Sequence, residues 1–131
     1  MTCCFIGHNE IDEETFANIR EISEKLILEK EVDTFYVGNC GAFEESVYEI
    51  IDTLLIKYPS VKCVKVLMDE TEGEIYPDGI GKVPKRFKIS HRNRWMVLKS
   101  DILVAHITHA WGEPSKFVEF AKRWLLEIIN V

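Results

Sequence analysis

A positively charged segment lies between Gly79 and Ser100, where seven Lys or Arg residues occur without any Asp or Glu. At its centre is the run Arg92-Asn93-Arg94-Trp95-Met96, which precedes an apolar stretch from Ile102 to Ile107. Guanidinium groups pair well with phosphate and carboxylate oxygens. We therefore expect Arg92 and Asn93 to contribute to a site for a small anion. The alternative is a solvated basic helix surface, because charge runs are usually surface features.

The acidity of the remaining chain limits the class of partner. The chain of 131 residues has 16 Lys and Arg against 22 Asp and Glu, which gives a formal net charge of -6. Proteins that bind long nucleic acids neutralise many phosphates with a broad basic surface. A single basic segment in an acidic protein therefore argues against a nucleic-acid polymer as the main partner and favours a small-molecule ligand.

Three junctions rich in glycine and polar residues are further candidates for ligand contact. They are Gly7-His8-Asn9, Gly38 to Gly41, and Thr108 to Ser115, which contains Gly112. The glycines at positions 7 and 38 could be simple strand exits, or they could let the backbone approach a phosphate. His8 could cap or pack internally, or it could contact the ligand.

One acid close to these junctions could carry chemistry. Glu44 lies in the first turn of a predicted helix, where an acid is favourable in any case. A role at a ribose or in catalysis is the alternative. Because Arg92 and Asn93 are consecutive on a predicted helix, we expect them to point in different directions, so that one could meet the ligand while the other braces a loop.

Histidines and cysteines could suggest a metal site, but their pattern does not support one. No Cys or acid completes a ligand set around His91, His106 and His109 at regular spacing, and no cofactor is predicted. The four cysteines lack CxxC spacing, which indicates small buried hydrophobes in a reducing compartment. Cys3, Cys4 and Cys63 fall in predicted strands, and Cys40 falls in a loop.

Strands and helices alternate along the chain in a way that would position these groups. Predicted strands are Thr2 to Ile6, Asp33 to Val37, Val61 to Met68, Asp101 to Ile107 and Glu127 to Val131. The first predicted helix begins after Asp12 and buries a stripe that includes Phe16 and Ile19. Further helices are predicted around Phe43 to Tyr58, Lys88 to Lys99 and Pro114 to Ala121, and Asp69 to Lys82 is predicted to be a long loop.

Nearly uniform apolar strands between amphipathic helices indicate a parallel sheet covered on both faces. We predict one α/β domain over residues 1 to 131, a three-layer Rossmann-like fold with a five-stranded, mainly parallel sheet. If the strand order is the Rossmann-like 3-2-1-4-5, it reverses between strands one and four. Ligands bind such sheets at the carboxyl ends of the strands, where strand order reverses. No apolar run approaches a membrane span and the start lacks a signal-peptide pattern, so a soluble cytoplasmic protein without a membrane partner is predicted.

Four short motifs, in order along the whole chain, resemble a known family. They are Cys4-Phe5-Ile6-Gly7-His8, the run from Gly38 to Glu44, Arg92-Asn93-Arg94-Trp95-Met96-Val97, and Ser100-Asp101 leading to Gly112 and a helix. Together they resemble the SLOG superfamily, the Rossmann-like group named for the Smf/DprA and LOG proteins, and most of all its small YpsA-like bacterial members. The resemblance implies binding of a nucleotide or nucleotide derivative in the crevice of strands one and four.

In some relatives, the cytokinin-activating LOG enzymes, that site hydrolyses the N-glycosidic bond of a nucleoside monophosphate. Those enzymes carry a PGGxGTxxE signature, whereas this chain reads Ala110-Trp111-Gly112-Glu113-Pro114-Ser115-Lys116-Phe117-Val118-Glu119. The glycine pair is missing and the spacing from Ser115 to Glu119 is one residue too long. The resemblance therefore favours ligand binding over hydrolysis.

Three classes of function remain open from the sequence. A binding or sensing domain would use Gly7, Gly38, Gly41, Arg92, Asn93, Gly112 and neighbours such as His8 and Ser115. A phosphoribohydrolase or related transferase would also need Glu44 or Glu119 near the anomeric carbon. An interaction module with a vestigial crevice is the third class, and a homo-oligomer is compatible with all three.

Overall fold

The computed structural model describes all 131 residues and forms a five-stranded sheet. Its strands are β1 (Thr2–Gly7), β2 (Thr34–Gly38), β3 (Lys62–Val66), β4 (Ile102–His106) and β5 (Glu127–Asn130). Every neighbouring pair is parallel, and the order is β3-β2-β1-β4-β5. The predicted α/β class with a five-stranded parallel sheet is confirmed, and the strand order is the Rossmann-like one.

Four helices cover the two faces of the sheet: α1 (Glu13–Glu29), α2 (Ala42–Lys57), α3 (Lys88–Leu98) and α4 (Glu113–Arg123). Successive side chains of a strand point to opposite faces. In β1, Cys3 and Phe5 therefore join the core beneath α1 and α2, whereas Cys4 and Ile6 join the core beneath α3 and α4. The sheet thus separates two apolar cores, as the uniformly apolar strands predict.

The third strand and the segment that follows it differ most from the prediction. The third strand ends at Val66 because its neighbour β2 ends at Gly38, the partner of Val66 in the parallel register. Beyond that point Leu67 donates its N–H to the carbonyl of Ile75. The long segment that follows is also more ordered than a plain loop, since it contains the short 3-10 helices Ile80–Lys82 and Lys85–Phe87.

The buried stripe of α1 was predicted wrongly at one position. Phe16 is 36% exposed, and Thr15 faces the core instead, together with Ile19. Thr15 can be buried because its N–H and its hydroxyl both donate to the Asp12 carboxylate at 2.8 Å, which leaves no unpaired polar group. The N-cap at Asp12 is confirmed.

The cysteines form no disulfide, and their environments differ as the sequence indicates. Cys3 and Cys4 are buried, Cys63 is half-buried and Cys40 is exposed. Burial raises the pKa of the Cys4 and Cys63 thiols to about 12. None of the four α-helices has the length and apolar character needed to cross a lipid bilayer.

Candidate functional site

A crevice with a volume of about 210 Å³ opens at the carboxyl end of β1, where strand order reverses. The loops after β1 and β2 line it with Gly7, Asn9, Cys40 and Gly41. The helices α2, α3 and α4 line the remainder with Glu44, Ile89, Arg92, Asn93, Glu113 and Pro114. Sheets of this kind bind ligands at this position, so we regard this crevice as the candidate site.

A buried ion pair forms one wall of the crevice. The Nη2 atom of Arg92 donates to Oε1 of Glu44 at 2.6 Å, and Nη1 donates to Oε2 at 3.3 Å. The Arg92 side chain is 1% exposed and that of Glu44 is 12% exposed. The expected anionic partner of Arg92 therefore exists inside the chain, and both terminal nitrogens of its guanidinium already donate to Glu44.

The surroundings of Glu44 shift the pKa of its carboxyl in opposing directions. Burial raises the pKa of its carboxyl above the ordinary value, while the charge of Arg92 and the N–H of Cys40 oppose that rise. The Cys40 N–H donates to Oε2 at 2.5 Å. Perturbed acids in clefts are frequent in functional sites, which keeps Glu44 among the candidate residues.

Asn93 lies beside Arg92 in the structure and does not point away from it. Its Oδ1 accepts a hydrogen bond from Arg92 Nη2 at 3.1 Å, and both residues are buried. The two side chains therefore meet at their ends, whereas the sequence predicts that they point in different directions. The Asn93 amide nitrogen has no acceptor in the chain, and the residue lines the crevice, so this nitrogen can donate to a ligand.

Gly38 is explained by the ion pair. A Cβ atom at this position would collide with the Arg92 guanidinium and with Glu44 Oε2. The backbone of β2 therefore approaches the Arg92 side chain of the chain itself closely. The sequence had suggested a close approach to a ligand phosphate as one alternative. Gly7 is similar, since a Cβ there would lie 2.8 Å from the Phe43 ring and from His106 Cβ.

Two glycines begin helices at the crevice. Gly41 precedes α2 with φ of 106°, and Gly112 precedes α4 with φ of 94°. Both angles favour glycine, and neither residue supplies a side-chain cap. Asn9 takes that role for α2, because its Oδ1 accepts the N–H of Phe43 at 3.1 Å. The positive ends of two helix dipoles therefore meet at one crevice.

His8 and Ser115 serve the chain itself. The Nδ1 atom of His8 accepts the N–H of Thr108 at 3.0 Å, so its Nε2 carries the proton that is donated to the carbonyl of Trp111 at 3.0 Å. Ser115 donates its hydroxyl to the carbonyl of His109 at 2.6 Å. Both residues shape the loop after β4, and neither lines the crevice.

Glu119 lies apart from the other predicted site residues. Its side chain is 66% exposed and pairs with Lys122 at 3.1 Å on the surface of α4. The structure therefore brings together Gly7, Gly41, Glu44, Arg92 and Asn93 in the walls of the crevice. Gly38 and Gly112 stand just behind those walls, against Arg92 and His8 respectively.

Sequence reasoning assigned no role to four polar or small residues of the crevice: Asn9, Cys40, Glu113 and Pro114. All four lie in junctions already noted as rich in glycine and polar residues. The sequence already predicted Pro114 in the first turn of a helix, and the structure confirms this position, but the prediction was not extended to a place in the crevice.

The basic segment divides into buried and exposed groups. Arg92 is interior, and Lys88 pairs with Asp69 at 2.8 Å. The remaining five cations have no acid within ion-pair distance; they are Lys82, Lys85, Arg86, Arg94 and Lys99. A solvated surface therefore describes part of this segment, but not its central arginine. No group of three or more His, Cys, Asp or Glu residues is arranged to hold a metal ion.

No protein-family model matches the chain, and no curated protein matches it.

Proposed function

We propose that the chain binds or senses a nucleotide or nucleotide derivative in the crevice at the carboxyl ends of β1 and β4. The observation that carries this proposal is that the first turns of α2 and α4 open at the same crevice. Helix N-termini offer free N–H groups and a positive dipole end, both of which suit phosphate. The SLOG-like motifs of the sequence agree with this class of ligand.

The other polar groups of the crevice suit a sugar. The amide nitrogens of Asn9 and Asn93 have no acceptor in the chain and can donate. Glu113 offers carboxylate oxygens to hydroxyl groups and already accepts the hydroxyl of Ser90 at 3.1 Å. We assign phosphate recognition to the helix N-termini and ribose recognition to these side chains, while the paired Arg92 fixes the shape of the wall.

The direct test has two stages. Mass spectrometry of the purified protein first identifies any small molecule that accompanies it. Calorimetry with nucleoside monophosphates, ADP-ribose and NAD then measures affinity. Because one hydrogen bond contributes about 0.5 to 1.5 kcal/mol, Asn93→Ala should weaken binding roughly two- to tenfold.

The matched control is Asn18→Ala, on the exposed surface of α1, which should bind as the wild type does. Because Asn93 is buried, its variant must first show an unchanged unfolding midpoint, and Glu113→Gln provides a second crevice variant that does not disturb Arg92. If no nucleotide-like compound binds the wild type at millimolar concentration, the proposal fails.

A second candidate is a phosphoribohydrolase or related transferase that acts on nucleoside monophosphates. The observation that favours it is the Glu44 carboxylate, which lines the crevice and whose pKa is raised by burial. A carboxylate near the anomeric carbon could act as nucleophile or base. Its Arg92 partner would then hold it in position.

Glu44→Gln separates the two candidates. A binding protein should retain nucleotide affinity in this variant and release no base in either form. An enzyme should release free base, detected by chromatography, and should lose that activity in Glu44→Gln while it still binds. Glu119→Gln is the control because this exposed residue lies outside the crevice, and its substitution should change neither quantity.

A further inference from the structure

A second cavity lies on the outer side of the sheet's α3–α4 layer. It has a volume of about 270 Å³ and is lined by residues of α3, of α4 and of the segment just before α3. We call it the α3–α4 cleft and define it by three nitrogen-bearing side chains, His91, Arg94 and Lys116, and three aromatic ones, Phe87, Phe117 and Phe120. The nucleotide proposal uses none of these residues.

The charge of the cleft is unusual for this chain. Acids outnumber Lys and Arg by 22 to 16 in the sequence, yet no acid lines the cleft. Neither Arg94 nor Lys116 belongs to any ion pair of the structure. Two uncompensated cations therefore face one cavity, which favours an anionic occupant.

Both cations belong to exposed residues and lie near aromatic rings. The Arg94 guanidinium lies 5.5 Å from the centroid of the Phe120 ring, and the Lys116 ammonium lies 5.9 Å from that of Phe117. Contacts of this length are cation–π interactions, which restrict the charged groups. The cleft consequently combines positioned cations with apolar ring surfaces.

We propose that the α3–α4 cleft is a binding site for a small aromatic anion, a single planar ring that bears a carboxylate or a phosphate. The anionic group is placed between Arg94 and Lys116, and the ring packs against Phe87, Phe117 and Phe120. The cavity, with a volume of about 270 Å³, is large enough for one ring with its substituent.

The cleft and the crevice are neighbours but separate sites. The Ser90 hydroxyl, which lines the cleft, donates to Glu113, which lines the crevice. This hydrogen bond stands between the two cavities. The cleft has its own cations and its own apolar walls, so its occupancy does not depend on whether the crevice binds a nucleotide.

The test uses phenyl phosphate and benzoate as probes of the isotope-labelled full chain by nuclear magnetic resonance. Both probes should produce saturable shifts at the backbone amides of Ser90, His91, Arg94 and Lys116. Inorganic phosphate and cyclohexanecarboxylate, which lack the aromatic ring, should bind more weakly. Arg94→Gln and Lys116→Gln should each weaken phenyl phosphate binding about tenfold, the loss expected for one hydrogen bond to a charged group.

Arg123→Gln and Lys99→Gln are the matched controls, because these cations lie at the carboxyl ends of α4 and α3, respectively, and outside the cleft. Both control variants should leave the affinity for phenyl phosphate unchanged. The proposal is overturned if neither aromatic probe gives saturable shifts at millimolar concentration, or if the shifts appear at Gly41 and Asn93 instead. The proposal also fails if inorganic phosphate binds as tightly as the aromatic probes, or if the control variants lose as much affinity as Arg94→Gln and Lys116→Gln. Either result would show that the cleft is only a nonspecific basic surface.

Discussion

Replacing Arg92 by Met should strongly destabilise the fold. The substitution keeps an unbranched side chain but leaves the Glu44 carboxylate, 12% exposed, without its positive partner. Removal of one member of a buried pair typically costs about 3 to 5 kcal/mol, because the remaining charge is uncompensated. We expect a loss in this range from urea unfolding at neutral pH, with an unchanged dependence on urea concentration.

The same helix supplies the control. Lys88 also pairs with an acid, at 2.8 Å; its own side chain is 18% exposed, but the acid, Asp69, is 78% exposed and leaves the pair open to water. Exposed pairs contribute about 0 to 1 kcal/mol, so Lys88→Met should cost no more than that. The double variant Arg92→Met with Glu44→Met should recover most of the lost stability, because it removes both buried charges.

In acid, the free energy of unfolding of Arg92→Met should differ less from that of the wild type. Burial already raises the pKa of Glu44 above 4.5, and loss of the Arg92 charge that opposes this rise raises it further. A carboxyl whose pKa is higher in the folded state favours folding below its unfolded pKa and loses that contribution as pH rises through the folded value. The deficit should therefore be smallest in acid and grow toward neutral pH. A deficit below about 1 kcal/mol at neutral pH, comparable to that of Lys88→Met, would refute the reasoning, since the pair would then be hydrated like a surface pair.

Three further predictions concern single positions. Gly38→Ala should lower the free energy of unfolding, measured in urea, by roughly 1 to 3 kcal/mol, as at other overpacked sites, because the added Cβ would collide with the paired Arg92. An unchanged free energy of unfolding would mean that the ion pair can shift. The N–H and hydroxyl of Thr15 donate to the Asp12 carboxylate and hold its pKa below the ordinary value of 3.8. The charge of Asp12 therefore stabilises the fold above the unfolded pKa, and this contribution is lost as pH falls through the folded pKa. The advantage of the wild type over Asp12→Asn in thermal unfolding should accordingly shrink in acid, and a constant difference would contradict this. Thiol titration of the native protein should find rapid reaction at the exposed Cys40 only, and rapid labelling of the buried Cys3 and Cys4 or of the half-buried Cys63 in the folded state would contradict this prediction.

The fold could be predicted because the apolar composition of the strands indicates that they are buried. Ile102 to His106 is buried at every position of β4, and a short apolar run of this kind is typical of a strand that is covered on both faces. The stripe of α1 was harder, because the choice between Thr15 and Phe16 depends on whether the threonine hydroxyl finds an acceptor. That acceptor is the Asp12 cap, and hydrophobicity alone does not reveal it.

The site was predictable in its location but not in its internal pairing. Arg92 and Glu44 were both chosen from the sequence, but as separate groups for ligand and catalysis. Their pairing joins residues 48 positions apart and depends on Gly38 leaving room between them. With 22 acids in the chain, charge complementarity could not identify which one meets a buried arginine.

The central position of β1 has a consequence for synthesis of the chain on the ribosome. One edge of β1 pairs with β2, which follows soon after it, but the other edge pairs with β4, which begins at Ile102. While the intervening residues are being translated, an apolar strand of Cys3 to Ile6 keeps one row of backbone donors and acceptors unpaired. Unpaired strand edges recruit other chains. The nascent protein should therefore be most prone to aggregate just before β4 emerges, and a chaperone that shields this edge would act in that interval.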